Sequence, residues 1–516
     1  MRKTHIMARK PNFLILMADQ LTPFALGAYG NRIAKTPHLD ALAAQAVLFR
    51  SAYCNSPLCA PSRYAFMSGR LPSAIGAYDN AAEFPAQVPT FAHYLRLAGY
   101  RTALSGKMHF CGADQLHGFE ERLTTDIYPA DFGWTPDWEH FEQRPSWYHN
   151  MDSVTQAGPC VRTNQIDFDD EVVFRARRQL LDMARSNDRR PFCLVVSLTH
   201  PHDPFAITQE YWDRYRDADI DIPRVRLAPE ALDPHSKRLR HVCGMHLQEV
   251  TDTQVRAARH AYYGAVSYVD DQVGLLLGTL RDAGLAEDTV VIVLADHGEM
   301  LGERGLWYKM SFFEGACRVP LLIHAPQLFA PHAVTQSVSL IDVLPTLTEI
   351  AGGGAAAPLL APIEGRSLLP HLEQRGGHDE VRAEYLAEGA IAPIVMIRTG
   401  RHKFIHCPAD PDQLYDLNED PDERRNLAAT PEAVPFRERV QRGWSLESLH
   451  QAVRASQQRR ALVDAALRVG RTTPWDWQPR FDAAQQYVRN TKTLDELEQA
   501  ARFPPLHAAG APKPQV

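Results

Sequence analysis

Four strand-like runs, at residues 11–18, 100–105, 192–198 and 288–295, all but the second almost wholly apolar, constrain this chain more than any other feature of its sequence. A strand buried on both faces reads this way, as in a parallel sheet covered by helices. Each run ends in polar residues: Asp19-Gln20, Gly106-Lys107-Met108-His109, His200-Pro201-His202-Asp203 and Asp296-His297-Gly298-Glu299. Open α/β sheets place ligands beyond the carboxyl ends of their strands, and a parallel sheet gathers those ends at one edge. The four polar clusters are therefore expected to meet.

The residue types at those ends suggest what they would do together. Asp19, Gln20, Asp296 and His297 offer mostly oxygen donors, which suit a hard cation, Ca²⁺ or Mg²⁺. The lack of clustered cysteine ligands argues against structural zinc. Lys107 and His109 lie two apart on an extended segment and point the same way, a cation and a base suited to an oxyanion pocket. A fifth stretch, Ser56-Pro57-Leu58-Cys59-Ala60-Pro61-Ser62-Arg63, reads as a turn entering a helix, with amides aimed at an anion beside Cys59.

The remaining segments fill in around this core. Thr36-Pro37 opens an amphipathic helix expected to reach about Phe49. Residues 131–150 form a loop rich in aromatics, whose functional reading is a wall against a cationic or apolar group. A long helix is expected over 255–280. Past the Gly- and Ala-rich segment 352–358 the pattern changes to short strands, at 394–398 and 403–407, in a small antiparallel sheet. Asp410-Pro411 to Leu417 and Asp420-Pro421 read as turns around it, and 435–468 is helix-prone. These readings divide the chain into a large unit (1–375), a small α+β unit (376–470) and a tail (471–516). The tail's Trp475-Asp476-Trp477 implies docking, because a disordered end does not need such aromatics.

With 45% hydrophobic and 23% charged residues among 516, a large buried core is within reach. The net charge of -7 offers neither a nucleic-acid surface nor a polybasic membrane patch. The basic start followed by the short run to Ala18 reads as a first strand rather than a signal peptide, and no run is long enough to span a bilayer. Eight scattered cysteines without a CxxC pair favour reduced thiols and the cytoplasm.

Asp19 after a buried strand, Cys59-Ala60-Pro61-Ser62-Arg63, Gly106-Lys107-Met108-His109 and Asp296-His297-Gly298 together resemble, in order and character, the type I sulfatases of the alkaline phosphatase superfamily. Met17-Ala18-Asp19-Gln20, the 112–120 segment, Phe132-Gly133-Trp134-Thr135-Pro136 and the Trp475-Asp476-Trp477 tail are similar to the choline-sulfatase branch. Gln20 stands where many sulfatases have a second Asp, a substitution that branch shares; it keeps an oxygen donor but removes a charge. Ser68-Gly69 replaces the common Thr-Gly.

The resemblance implies an α/β fold with a large, mostly parallel or mixed sheet flanked by helices, and a smaller antiparallel sheet after it. It implies that a modifying enzyme converts Cys59 to formylglycine, whose hydrate attacks the sulfur of a sulfate ester. A divalent metal, Ca²⁺ first and Mg²⁺ or Mn²⁺ next, would be held by Asp19, Gln20, residue 59, Asp296 and His297. Arg63, Lys107 and Lys309 would surround the sulfate oxygens, His200 or Lys309 would protonate the leaving group, and His109 would act as base in releasing sulfate. Trp134, His149, Asn150 and an acid at Glu384 or Glu388 would surround the trimethylammonium group of choline sulfate. The tail implies a homo-oligomer, dimer or tetramer. The alternatives are a formylglycine-dependent phosphonate monoester hydrolase, phosphodiesterase or arylsulfatase. A non-enzyme alternative is a quaternary-ammonium binder with an unmodified Cys59.

Overall fold

The computed structural model describes residues 10–480 except 217, 356, 357 and 361, together with 493, 494, 496 and 497. The basic N-terminal residues 1–9 and most of the tail beyond 480 lie outside the described residues. In chain order the strands are β1 (Asn12–Ala18), β2 (Val47–Tyr53), β3 (Arg101–Gly106), β4 (Glu121–Arg122), β5 (Gly158–Cys160), β6 (Phe192–Leu198) and β7 (Ala206–Thr208). They continue with β8 (Thr289–Ala295), β9 (Arg318–His324), β10 (His332–Ser339), β11 (Glu380–Tyr385), β12 (Ile394–Thr399), β13 (His402–Cys407) and β14 (Asp410–Asp416).

Eight of these form one mixed sheet, ordered β10-β2-β9-β8-β1-β6-β3-β4. The four apolar runs are its neighbours β8, β1, β6 and β3, all parallel, with Ile15 in register with Val195 on one side and Ile292 on the other. Every residue of β1, β6 and β8 is buried, as their unbroken apolar sequence requires. The helices Asn164–Arg185 and Asp252–Asp282 accompany the sheet. The second begins with a reciprocal cap between Thr251 and Gln254.

Two sequence expectations are overturned. The helix begun at Pro37 stops at Ala43 rather than near Phe49, and residues from Val47 instead form β2, between β9 and β10. Pairing on both edges overrides the helical periodicity there, and Val47 and Phe49 fit a pleated, buried surface. Asp410–Asp416, expected as turn, is the strand β14. It lies at the edge of the small sheet β11-β12-β13-β14, where Pro411 is tolerated because an outward-facing edge needs no donor.

The small sheet is joined to the large one by polar ties as well as packing. Asn55 donates to the Arg382 carbonyl at 2.8 Å, and its own carbonyl accepts from Glu384 N–H at 2.9 Å. Lys403, fully buried in β13, pairs with Glu314 at 3.0 Å and with Glu423.

Candidate active site

Strands β1 and β3 deliver their polar residues through a sharp departure from strand geometry. Gln20 takes φ 62°, and its N–H donates to Asp296 Oδ1 at 3.0 Å, tying the ends of β1 and β8 together. Gly106 takes φ 109°, and a Cβ there would lie 2.0 Å from the Ser197 carbonyl oxygen, so only glycine lets β3 close on β6. Beyond it, Asp126 accepts the Met108 and His109 amides at 3.0 and 2.9 Å. Cys59 opens the wholly buried helix Cys59–Ser68, and Asn80 caps that start by accepting from Ala60 N–H at 3.0 Å.

Donor atoms of Asp19, Cys59, Asp296 and His297 lie within 4.8 Å of one another, all buried. Cys59 Sγ is 3.3 Å from His297 Nε2 and 3.8 Å from Lys107 Nζ. Arg63 joins the two carboxylates, 2.8 Å from Asp296 and 3.3 Å from Asp19, and Lys107 also pairs with Asp19. Burial and the Cys59 sulfur push the Asp19 carboxyl up, but Lys107, His202 and Arg63 outweigh them and hold it at about 2. Burial likewise opposes ionisation of Cys59, yet Lys107, Lys309, His297 and His109 hold its thiol well below the ordinary range. The pocket thus stabilises negative charge at side chain 59. Two carboxylates, an imidazole and that side chain make a donor set that fits a hard divalent cation.

Around this cluster stands a second group. Lys309 Nζ donates to Gln20 Oε1 at 2.7 Å and to His202 Nε2 at 2.8 Å. Gln20 Nε2 donates in turn to Asp203 at 3.3 Å and to Glu299. Both ring nitrogens of His109 are buried and, among the described residues, meet no hydrogen-bond partner, and the Trp134 indole meets that ring edge-on at 5.7 Å. His149 stacks on Tyr308 at 4.4 Å and faces Asp203 at 3.5 Å. Burial pushes the Glu388 carboxyl up to about 7, with Asp79, Lys309 and Cys59 also acting on it.

Several sequence expectations change here. His200 turns away: Asp169 takes its Nδ1 at 2.6 Å, its ring lies against Tyr268, and His202 occupies the place beside Lys309. Asn150 is exposed, and its side chain accepts from Asp152 N–H at 2.8 Å, so it ends a turn rather than lining the pocket. Glu384 is occupied by Ser73, through amide and hydroxyl at 2.8 and 2.7 Å, and by the Trp444 indole at 2.6 Å. Arg63 has its guanidinium on Asp296, Asp19, the Lys107 carbonyl and Ser197, behind the pocket rather than facing it. Gln20 Oε1 accepts from Lys309 rather than pointing into the carboxylate cluster.

Asp203, Glu299, Asp126 and Tyr128 were not anticipated as part of the site. Tyr128 lies under Lys107 Nζ, 4.6 Å from its ring centre, and Glu299 accepts the Leu301 and Tyr308 amides at 2.9 and 2.6 Å. Asp203 and Glu299 sit in the polar clusters after β6 and β8, so their place was visible though their contacts were not. Asp126 and Tyr128 carry no local signal.

The family model described as "Sulfatase" matches residues 11–353, and one described as "Choline sulfatase enzyme C terminal" matches 451–503. The chain is 47% identical over 508 residues to a "Choline-sulfatase" of Rhizobium meliloti (strain 1021), covering 96% of this chain and 99% of that one. It is 29% identical to "Arylsulfatase K" of Bos taurus, covering 81% and 78%. Its fold is similar to the crystal structure of a phosphonate monoester hydrolase of Agrobacterium radiobacter, at TM-score 0.67 and 24% identity, covering 86% and 96%. The cysteine-led helix and the carboxylates gathered at the strand ends agree with these likenesses: the chain belongs to the sulfatase family of hydrolases.

Proposed function

We propose that this chain hydrolyses choline O-sulfate to choline and sulfate, with residue 59 as nucleophile. The observation that carries this reading is the wall beside the anion pocket. The Trp134 indole stands 5.7 Å from the His109 ring, and the buried Glu388 carboxyl feels the charges of Cys59 and Lys309. A cation-binding aromatic and an acid beside a pocket that stabilises an anion match a substrate carrying both charges. The relative from Rhizobium meliloti bears the corresponding name.

Conversion of Cys59 to formylglycine by a modifying enzyme would supply a hydrated aldehyde as the nucleophile toward sulfur. Asp19, Asp296, His297 and side chain 59, with Gln20 on their flank, would hold a divalent cation, Ca²⁺ in this reading, which would supply Lewis-acid polarisation. Lys107 and Lys309 face side chain 59 and would draw the sulfate oxygens into place, where cations stabilise the charge that develops. Arg63 acts one step back, holding Asp19 and Asp296 in register. Lys309 carries the proton for the departing choline oxygen, and His202 Nε2, 2.8 Å away, replenishes it. His109, whose ring nitrogens meet no partner among the described residues, is the base for sulfate release. Trp134, His149 and Glu388 enclose the quaternary ammonium.

Among the described residues no helix is long and apolar enough to cross a membrane, and all eight cysteines are free. The free thiols support a cytoplasmic enzyme. The described part of the tail lies on its own chain, Trp475 meeting Phe132 at 5.1 Å and Trp477 donating to the Arg122 carbonyl at 3.0 Å. A homo-oligomer formed through the residues beyond it belongs to the same proposal.

The test is sulfate release from choline sulfate beside an aryl sulfate and a phosphate diester, using protein made together with a formylglycine-generating enzyme. Mass spectrometry across Cys59 should show oxygen, as an aldehyde, in place of the thiol sulfur. Cation–π contact worth about 0.5–2 kcal/mol should favour the choline ester by about 2- to 30-fold through Trp134 alone. Modified protein that turns over the aryl ester or the diester faster than choline sulfate would refute the assignment.

A further inference from the structure

We propose that the C-terminal helix Leu446–Leu467 sets substrate selectivity, with Arg460 as the positioning residue that holds the Trp134 loop against the nucleophile's turn. The inference rests on the proposed function, because it concerns the wall that would bind choline.

The loop owes little of its shape to its own sequence. Trp134 ends a single short turn, Phe132–Trp134, held locally by Asp131 accepting from Gly133 N–H at 2.8 Å and by Thr135 Oγ1 donating to the Phe132 carbonyl at 2.7 Å. Further support comes from Trp475, whose ring meets Phe132 at 5.1 Å, from the Ala387 carbonyl, which accepts from Trp138 Nε1 at 3.0 Å, and from one stripe of the distant helix. His450, Arg454, Gln457 and Arg460 follow one another at steps of four and three, which puts them on one face. All four meet the loop. The His450 ring is 5.5 Å from Trp138, Arg454 pairs with Glu139, Gln457 Oε1 accepts from Trp138 N–H at 3.1 Å, and Arg460 Nη1 donates to Thr135 Oγ1 at 3.2 Å.

Arg460 differs from the other three in reaching two parts of the site. Its two terminal nitrogens bind the two oxygens of Asp79 at 2.6 Å each, and Asp79 is fully buried. The next residue, Asn80, caps the helix that begins at Cys59. One guanidinium therefore fixes the residue after Trp134 and the residue before the nucleophile's cap. A planar fork suits this bridging task, and a lysine ammonium cannot hold two carboxylate oxygens and a hydroxyl in the same plane.

The experiment compares the modified full-length enzyme with Arg460→Lys and Thr135→Val. Arg460→Lys keeps the charge opposite Asp79 but loses the fork. Thr135→Val leaves the Arg460–Asp79 pair untouched, so it keeps the test decisive where the first variant does not fold. For each protein, KM and kcat on choline sulfate are measured, together with product inhibition by choline and by inorganic sulfate. Both variants should raise KM and the choline inhibition constant about fivefold or more, while kcat and the sulfate inhibition constant change by less than about twofold. That split separates loop positioning from general loosening, which would weaken sulfate and choline alike. Equal losses for the two products, or no loss for either, overturn the inference while leaving the function in place. A wild-type enzyme that releases no sulfate from choline sulfate overturns the proposed function, and the inference with it.

Discussion

Glu388→Gln is the substitution that most directly examines the proposed cation site. Burial raises the Glu388 carboxyl to about 7, so in the free enzyme it is neutral below that pH and charged above it. A quaternary ammonium ester carries its positive charge at every pH and should bind better as Glu388 ionises. If only the ionised form attracts the cation, KM scales as one plus the ratio of proton concentration to the acid constant. KM is then about elevenfold above its plateau at pH 6, about twofold at pH 7 and close to the plateau at pH 8. A carboxylate and an ammonium about 5 Å apart at an effective dielectric of about 20 attract by about 3 kcal/mol. Roughly half of that is expected to remain after desolvation, or about tenfold in KM at pH 8 for Glu388→Gln. The assay is initial-rate sulfate release over this pH range for choline sulfate and for 3,3-dimethylbutyl sulfate, its uncharged isostere. Any group that acts on the shared sulfate end affects both esters, so their KM ratio isolates Glu388. A ratio that does not change with pH in the wild type, or one that persists in the variant, would refute the reasoning.

Other perturbations follow from particular contacts. His202→Gln should lower kcat by about 10²-fold or more, as expected for a lost proton-transfer partner, while His200→Gln should act mainly on stability through Asp169; steady-state kinetics beside urea denaturation distinguishes them. Gln20→Asp would place a third carboxylate beside Asp203 and Glu299, so the metal-free variant should melt below wild type and show the larger rise in Tm on adding Ca²⁺. Equal calcium shifts in both proteins would count against that. Lys403→Met removes the cation buried between Glu314 and Glu423, leaving Glu314 only Arg318 at 3.6 Å, and should cost about 3–5 kcal/mol in denaturant unfolding.

What could be read in advance depended on whether the determining interaction was local. The four parallel strands were legible because burial on both faces writes an unbroken apolar run, and their shared direction then required Asp19, Lys107, His202 and Asp296 to converge. Side-chain direction within a cluster was not legible. His200 and His202 are equivalent by alternation, and the acid that turns one of them aside, Asp169, lies on the helix before β6. Glu384 and Glu388 presented the same ambiguity, and Ser73 with Trp444 decided it from far away in the chain. β2 was lost to a helix because its partners β9 and β10 lie some 270 residues downstream.

The close approach at Gly106 divides the molecule by its tolerance of change. Because no side chain fits between β3 and the Ser197 carbonyl, any other residue there would force two strands apart. Lys107 would move with one strand. Ser197, which accepts from Arg63 at 2.9 Å, would move with the other. The anion-handling chemistry is thus written into strand spacing, where small edits disturb several groups at once. The Trp134 wall stands on a loop held from outside by the stripe of one helix, by Trp475 and by the Ala387 carbonyl, where edits stay separate. Redesign toward other sulfate esters has its room there, in the loop and its supporting stripe, with the strand ends left as they are.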